Sequence, residues 1–293
     1  MHKLLAYLYP DFSQQFRNYP NIEDFLNLLE MAKRFNTEEF IESNLWPPAK
    51  LEEVNRITLK AATEYIWDFM QDKQKLRVLY DYAAGNLRAG DTIITFNWDL
   101  TVERALEGHP DDFNISYFYS QDRDEDRVVL LKPHGSIDWF LKKKLPDEAK
   151  QNVMSLDKEL CVYPYFDFAE NPELLEQEPV IVPPLSSKEF EYGFLKRTWQ
   201  NVYKAVSSAT SLYIIGYSFP KEDQFARLVI RRGLRNNILR AERGKKHQLH
   251  LVVVNPDENV LPTTSKLFGP GVKDFRFHQV YFQDYTAGLS DES

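Results

Sequence analysis

Along the first ninety residues, apolar positions recur every three to four residues, the spacing of a helix with one buried face. Asn21, with Asp24 three residues on, can cap a helix whose apolar side is Phe25, Leu28, Leu29, Ala32 and Phe35. A longer amphipathic stretch follows Pro47-Pro48 and runs through Val54, Ile57, Ala61, Ile66, Phe69 and Leu76 until Gly85-Asn86 stops it. From Gly90 the pattern changes to short apolar runs: Thr92–Phe96, Ile115–Tyr119, Val128–Leu131, Leu212–Gly216, Leu249–Val254 and Phe275–Phe282. Several end abruptly in polar residues, as buried parallel strands do. Between two of them, Asp223 to Arg243 has helical spacing, with Phe225, Leu228, Val229, Leu234 and Ile238 expected inside. Strand, helix, strand in that order predicts a βαβ crossover. Leu141 to Pro184 is charged, with tyrosines and prolines, and reads as an insertion or a small helical module.

The fold class expected is therefore α/β, a doubly wound parallel sheet with an N-terminal helical layer and a small inserted module. One domain is expected over residues 1–293: 1–89 mainly helical, 90–140 and 185–285 forming the sheet, and 141–184 inserted. No internal repeat or low-complexity segment interrupts it.

Composition narrows the function classes. A net charge of −8, from 36 basic and 44 acidic residues, gives a general nucleic-acid role no support. Lys142-Lys143-Lys144 and the series Arg227, Arg231, Arg232, Arg235 read as solvated faces. Cys161 is the single cysteine, which excludes an intrachain disulfide and a cysteine zinc site, so no metal is expected. No run has the apolar length of a membrane span, and "MHKLLAYLYPDF" is not a signal peptide, so the expected location is cytoplasmic, with no membrane partner. Glycine is scarce, 11 residues in 293, and phosphate-cradling loops need it.

Four strand ends carry the candidate chemistry. Thr92–Phe96 runs into Asn97-Trp98-Asp99, Val128–Leu131 into Lys132-Pro133-His134-Gly135-Ser136, Leu212–Ile215 into Gly216-Tyr217-Ser218, and Leu249–Val254 into Asn255-Pro256-Asp257. Parallel strands would bring these ends to one edge, where open α/β sheets hold ligands. Each also has a plainer reading: Asp99 as a helix cap, His134 as a turn histidine, Gly216 as a strand stop, Asn255-Pro256-Asp257 as a turn.

"TFNWD", "KPHGS", "IIGYS" and "VVNP", in that order, resemble the motif series of Sir2-like proteins, and "PVIVPP" (Pro179 to Pro184) resembles a segment of the prokaryotic defence branch. The resemblance implies a Rossmann-like sheet that binds NAD as substrate and cleavage of the nicotinamide–ribose bond, in an anti-phage setting. It implies that Asn97 positions the nicotinamide ribose or attacking water, Asp99 supports the nicotinamide pocket, and His134 is the base at the ribose hydroxyls. Thr95, Phe96 and Gly135 would also contact the nucleotide. Gly216 and Ser218 would contact phosphate and adenosine ribose, and Asn255 the adenosine ribose. The residue types suit such chemistry. Histidine titrates near neutral pH, asparagine orients a hydroxyl at any pH, and glycine lets the backbone approach a phosphate.

Two departures stand beside the resemblance. The zinc cysteines of deacylating sirtuins are missing, which favours the NAD-hydrolysing branch. The opening Gly-Ala-Gly-x-Ser loop is also missing; the one G-x-G, Gly269-Pro270-Gly271, reads as a turn. Three accounts compete: a truncated reading frame, a degenerate homologue that binds a nucleotide or acts as a scaffold, or a substitute strand at Leu4–Tyr9. A homo-oligomer or a separate sensor protein is the partner expected besides the nucleotide. An unrelated hydrolase using Ser136 or Ser218 lacks the Gly-x-Ser-x-Gly elbow around either.

Overall fold

The computed structural model describes residues 48–70, 73–107, 115–117, 127–145, 154–155, 158–163, 177–183, 193–244, 248–268 and 271–291. The helix expected from Asn21 and the run Leu4–Tyr9 lie outside these, as do Pro184 and Gly269-Pro270.

In chain order the elements are α1 (Pro48–Phe69), α2 (Lys73–Asn86), β1 (Thr92–Ile94), α3 (Thr101–Glu107), β2 (Ile115–Tyr117), β3 (Val128–Leu131), β4 (Gly135–Ser136) and β5 (Trp139–Leu141). They continue with β6 (Met154–Ser155), β7 (Leu160–Val162), β8 (Val180–Ile181), α4 (Gly193–Ser208), β9 (Ser211–Ile215) and α5 (Gln224–Glu242). The last are β10 (His250–Val254), α6 (Val260–Phe268), β11 (Asp274–His278) and α7 (Phe282–Asp291).

The described residues fall into two compact units. One draws on Met1–Asp72, Asn97–Thr101 and His134–Pro184; the other on Lys73–Phe96, Val102–Pro133 and Leu185–Ser293.

The second unit holds the parallel strands, as two three-stranded ladders ordered β1-β3-β2 and β11-β10-β9. Every pairing in both is parallel. With helices alternating between strands, this is the α/β architecture that the pattern predicts. The β9–α5–β10 crossover is present as expected, because β9 and β10 pair in parallel with α5 between them. Leu212, Ile214, Leu251, Val253, Phe275 and Phe277 join Leu234, Val260 and Phe268 in one core cluster. A second cluster sets Val129 and Leu131 of β3 against Trp199 and Val202 of α4 and Ala226 of α5.

α5 starts where Asp223 accepts the Ala226 N–H and closes at Arg243. It lies close on α4 because position 233 is glycine: a Cβ there would come within 2.9 Å of the Val206 side chain. Asn237, fully buried, donates to the Val206 and Ala209 carbonyls at 2.9 Å each, tying off the end of α4. The buried stripe of α5 is Ala226, Ile230, Gly233, Leu234 and Asn237. Leu228, expected inside, is on the opposite side and half exposed. The apolar run Phe275–Phe282 also divides: the strand stops at His278, and Phe282 opens α7, whose ring packs edge-on against Tyr82 of α2 at 5.1 Å.

The first unit contains α1 and the antiparallel pairings. Thr58 and Thr63 of α1 satisfy their buried hydroxyls by donating to the Val54 and Leu59 carbonyls, both at 2.7 Å. Within the segment read as an insertion or a small helical module, the described residues supply β6 and β7, which form a small antiparallel sheet with β5 in the order β5-β7-β6. The apolar triplets Trp139-Phe140-Leu141 and Leu160-Cys161-Val162 are fully buried and zip together. Three residues are too few for a periodicity to show in the sequence. The lysine triplet that follows β5 is no basic patch: Lys142 donates to Ser155, and Lys144 pairs with Glu178.

Cys161 sits in β7, and burial pushes its thiol from 9.0 up to about 11, against a smaller opposing pull from the Lys142 ammonium. The native state therefore keeps this proton to higher pH than the unfolded chain. The stability linked to it is intact below about pH 9 and is lost as pH rises through about 11. Thermal melts stepped across that window are expected to fall more steeply for the wild type than for Cys161→Ala.

Candidate functional site

The candidate residues lie in two groups, each within one unit. In the first unit, Asn97, Asp99, His134 and Gly135 come from two segments that are bonded together. The Trp98 carbonyl accepts the Ile137 N–H at 3.0 Å and the Ser136 hydroxyl at 3.4 Å. Trp98, Ser136 and Ile137 are all buried. Asn97 is exposed, while His134 is 3% exposed. The Asp99 carboxylate accepts the Thr101 N–H at 2.9 Å, so it serves the entry to α3 as the plainer reading of this residue expects. That bond occupies one carboxylate oxygen. Asp99 is half-buried.

His134 is fixed through its main chain, with its carbonyl accepting the Val182 N–H at 2.8 Å. Gly135 follows with φ at +81°, and β4 pairs antiparallel with β8. A Cβ at Gly135 would fall 1.9 Å from the Val180 carbonyl oxygen. Gly135-Ser136 of "KPHGS" and Val180-Ile181 of "PVIVPP", separated by some forty residues, therefore lie directly against each other.

In the second unit, the Thr95 N–H extends the β1–β3 ladder by donating to the Leu131 carbonyl at 3.0 Å. The Phe96 ring stacks on Tyr217 at 4.4 Å and 18°. Tyr217 in turn donates its hydroxyl to the Asp223 carboxylate at 2.9 Å, so the loop after β9 is anchored to the cap of α5. Gly216 begins that loop at φ +69°, its N–H donating to the Val254 carbonyl at 2.9 Å. A Cβ on Gly216 would meet nothing within 4 Å, so its backbone is open to close approach. Phe219, buried, also takes a positive φ of 54°, a strained state for a bulky residue, and its carbonyl accepts from the Arg227 guanidinium. Ser218, between the two, is exposed. Asn255 is buried; its N–H donates to the His278 carbonyl at 3.0 Å and its side-chain oxygen accepts the Asp257 N–H. That is the turn expected of Asn255-Pro256-Asp257.

A family model for the SIR2-like domain matches residues 91–268. The chain belongs to the SIR2-like domain family. All nine candidate residues, Thr95 to Asn255, fall inside the matched span. Among solved structures, this SIR2-like chain is similar to a crystal structure of Sir2 in complex with an inhibitor, 2'-O-acetyl-ADP-ribose and a deacetylated peptide. The identity is 15% and the TM-score 0.36, over 74% of this chain and 70% of that one. No curated protein matches the chain in sequence. Among the described residues no helix is long and apolar enough to cross a membrane, and no group of three or more His, Cys, Asp or Glu side chains could hold a metal ion.

Sequence reasoning left two residues of this SIR2-like domain without a role. The helical spacing of Val102, Ala105 and Leu106 by itself places Glu103 and Arg104 on the other, polar side of α3. Glu103 is in fact buried, 3% exposed, and meets the Lys132 ammonium at 2.7 Å. None of residues 101–106 is exposed, so this short helix has no wholly solvated face there. The available signal was Lys132 itself, a lysine directly after four consecutive buried strand residues.

Proposed function

We propose that this SIR2-like chain hydrolyses NAD at the nicotinamide–ribose bond. The observation that carries the reading is the bonding of the Asn97-Trp98-Asp99 turn to the His134-Gly135-Ser136 strand through the Trp98 carbonyl. Two polar segments at the ends of apolar strands are thereby held side by side, in a chain that belongs to this family.

In this reading the C1'–N bond breaks, nicotinamide leaves as a neutral base, and water adds to the ribose carbon. A proton is released, and ADP-ribose is the other product. Asn97 orients the ribose or the water through an amide that both donates and accepts. His134 takes the proton from a ribose hydroxyl or the water. Asp99 supports the nicotinamide side. Thr95, Phe96, Gly135, Gly216, Ser218 and Asn255 serve the nucleotide. The open backbone at Gly216 suits close approach by a phosphate oxygen. Anti-phage defence is the biological setting proposed, from the family resemblance.

A second reading, a nucleotide-binding or scaffold domain without turnover, is favoured by one observation: an Asp99 carboxylate oxygen already serves the Thr101 N–H. Product analysis separates the two. The purified chain is expected to release nicotinamide from NAD, and Asn97→Ala is expected to lose about 100-fold or more of that rate while remaining folded. A folded wild type that releases none supports the scaffold reading instead.

A further inference from the structure

The chain leaves β9 through Gly216 to Phe219 in a conformation that the sequence there does not favour. Phe219 takes φ +54° although it is bulky and precedes Pro220, and a residue before proline prefers extended backbone. Glycine or asparagine adopts the left-handed state at far less cost. Such strain persists only where the surroundings over-determine it, and it gathers where ligands are clamped. Here the surroundings are explicit. The Phe219 ring is 1% exposed, edge-on to Tyr217 at 4.7 Å and to Phe268 at 5.8 Å. Its carbonyl accepts from the Arg227 guanidinium at 2.9 Å. Arg227 belongs to a series that reads as a solvated face in the sequence, yet it is half-buried, whereas Arg231, Arg232 and Arg235 are exposed.

The stretch is fastened at its start, its middle and its end, all within one compact unit. At the start the Gly216 N–H donates to the Val254 carbonyl at 2.9 Å. At the end stands the bond from Arg227 to the Phe219 carbonyl. Between them the Tyr217 hydroxyl donates at 2.9 Å to Asp223, which is 1% exposed and also accepts the Ala226 N–H at 3.3 Å. Tyr217 and Phe219 therefore point into these anchors, while Gly216 and Ser218 are exposed. The outward positions are the two given to the nucleotide above. We propose that Tyr217, Asp223 and Arg227 are positioning residues, which fix the Gly216–Phe219 turn so that Gly216 and Ser218 meet the phosphate and adenosine ribose of NAD. This inference rests on the nucleotide role given to those two residues under the function proposed above.

The test titrates wild type, Arg227→Met and Tyr217→Phe with ADP-ribose by calorimetry, with a thermal melt of each in the absence of ligand. Arg227→Met removes the donor to Phe219 and keeps an unbranched stem. Tyr217→Phe removes the hydroxyl and keeps the ring that stacks on Phe96. Each folded variant is expected to bind ADP-ribose about tenfold more weakly, the scale of one misaligned hydrogen bond. In nicotinamide release from NAD the same variants are expected to raise KM about tenfold with kcat within about threefold, because binding and not the reacting bond is disturbed. A merely structural role would lower the melting temperature and leave the affinity of the folded protein unchanged. Either variant, folded and with wild-type affinity, overturns the proposal, so one that fails to fold leaves the other to decide. A loss confined to Arg227→Met overturns it too, and makes Arg227 a direct contact of the phosphate. A folded wild type that binds no ADP-ribose overturns the nucleotide role of Gly216 and Ser218 and this inference together. One that binds ADP-ribose but releases no nicotinamide overturns the hydrolysis alone, and the measured affinities still support or overturn the inference.

Discussion

A chain carrying Gly135→Ala is expected to lose most of its folded yield, and any folded fraction to unfold at a much lower denaturant concentration than wild type. The φ of +81° already disfavours any L side chain, a cost of about 1–2 kcal/mol. The larger effect is contact. An added Cβ would lie 1.9 Å from the Val180 carbonyl oxygen and 2.9 Å from its carbon. Both are backbone atoms, so no rotamer change relieves the overlap. β4 and β8 must separate, which strands buried main-chain groups, among them the bond from the Val182 N–H to the His134 carbonyl. Each unmet buried group costs about 1–3 kcal/mol. Together with the strain, the loss is several kcal/mol out of a typical ~5–15 kcal/mol. Urea unfolding followed by tryptophan fluorescence measures it, since buried Trp139 follows β4 closely and the carbonyl of buried Trp98 accepts from Ser136 of β4. A midpoint for Gly135→Ala equal to wild type would mean that β4 and β8 do not pair as described.

This expectation changes how Gly135 is read. The family resemblance offered it as a nucleotide contact, and the structure supplies a separate and sufficient reason for a glycine there. Loss of activity in a Gly135 variant would therefore report on the fold. Gly216 is the opposite case, equally left-handed but with open space where a side chain would go.

Much of the fold was legible because helices and buried strands write long signals. Asp223 and Arg243, marked as the limits of a helix, are its two caps. β3 and β10 read as apolar runs with polar stops because burial on both faces removes alternation, whereas β9 and β11 keep exposed positions at every second residue of their first half. What escaped was set by partners distant in sequence. β5 and β7 are three residues each, and their strand character comes from each other. The inward position of Glu103 comes from Lys132, 29 residues away. Leu228 was assigned inward by counting apolar residues, but the stripe that packs on α4 includes Gly233 and Asn237, which hydropathy does not mark. The candidate site shows the same division. Its residue types could be read from the strand ends, whereas the bonding of the 97–99 turn to the 134–137 strand through a main-chain carbonyl could not.

Replacing His134 by alanine is expected to leave the protein folded and to cut NAD cleavage about 10²–10⁴-fold in kcat, the usual contribution of a positioned general base. The main-chain bond that ties this segment to β8, from the Val182 N–H to the carbonyl of residue 134, is kept by alanine. Removing a buried imidazole costs on the order of 1–2 kcal/mol, which for a domain of this size is a few degrees in melting temperature. Two readouts separate a lost base from general damage. KM should move little, because a base acts on the reacting proton and contributes little to ground-state binding. Added imidazole should restore part of the rate, since the variant lacks the group that imidazole replaces. Wild-type turnover in a folded His134→Ala chain would remove His134 from the mechanism and leave the proposed cleavage without its base. The neighbouring positions thus divide the question: Gly135→Ala is expected to lose the fold, and His134→Ala to keep the fold and lose the reaction.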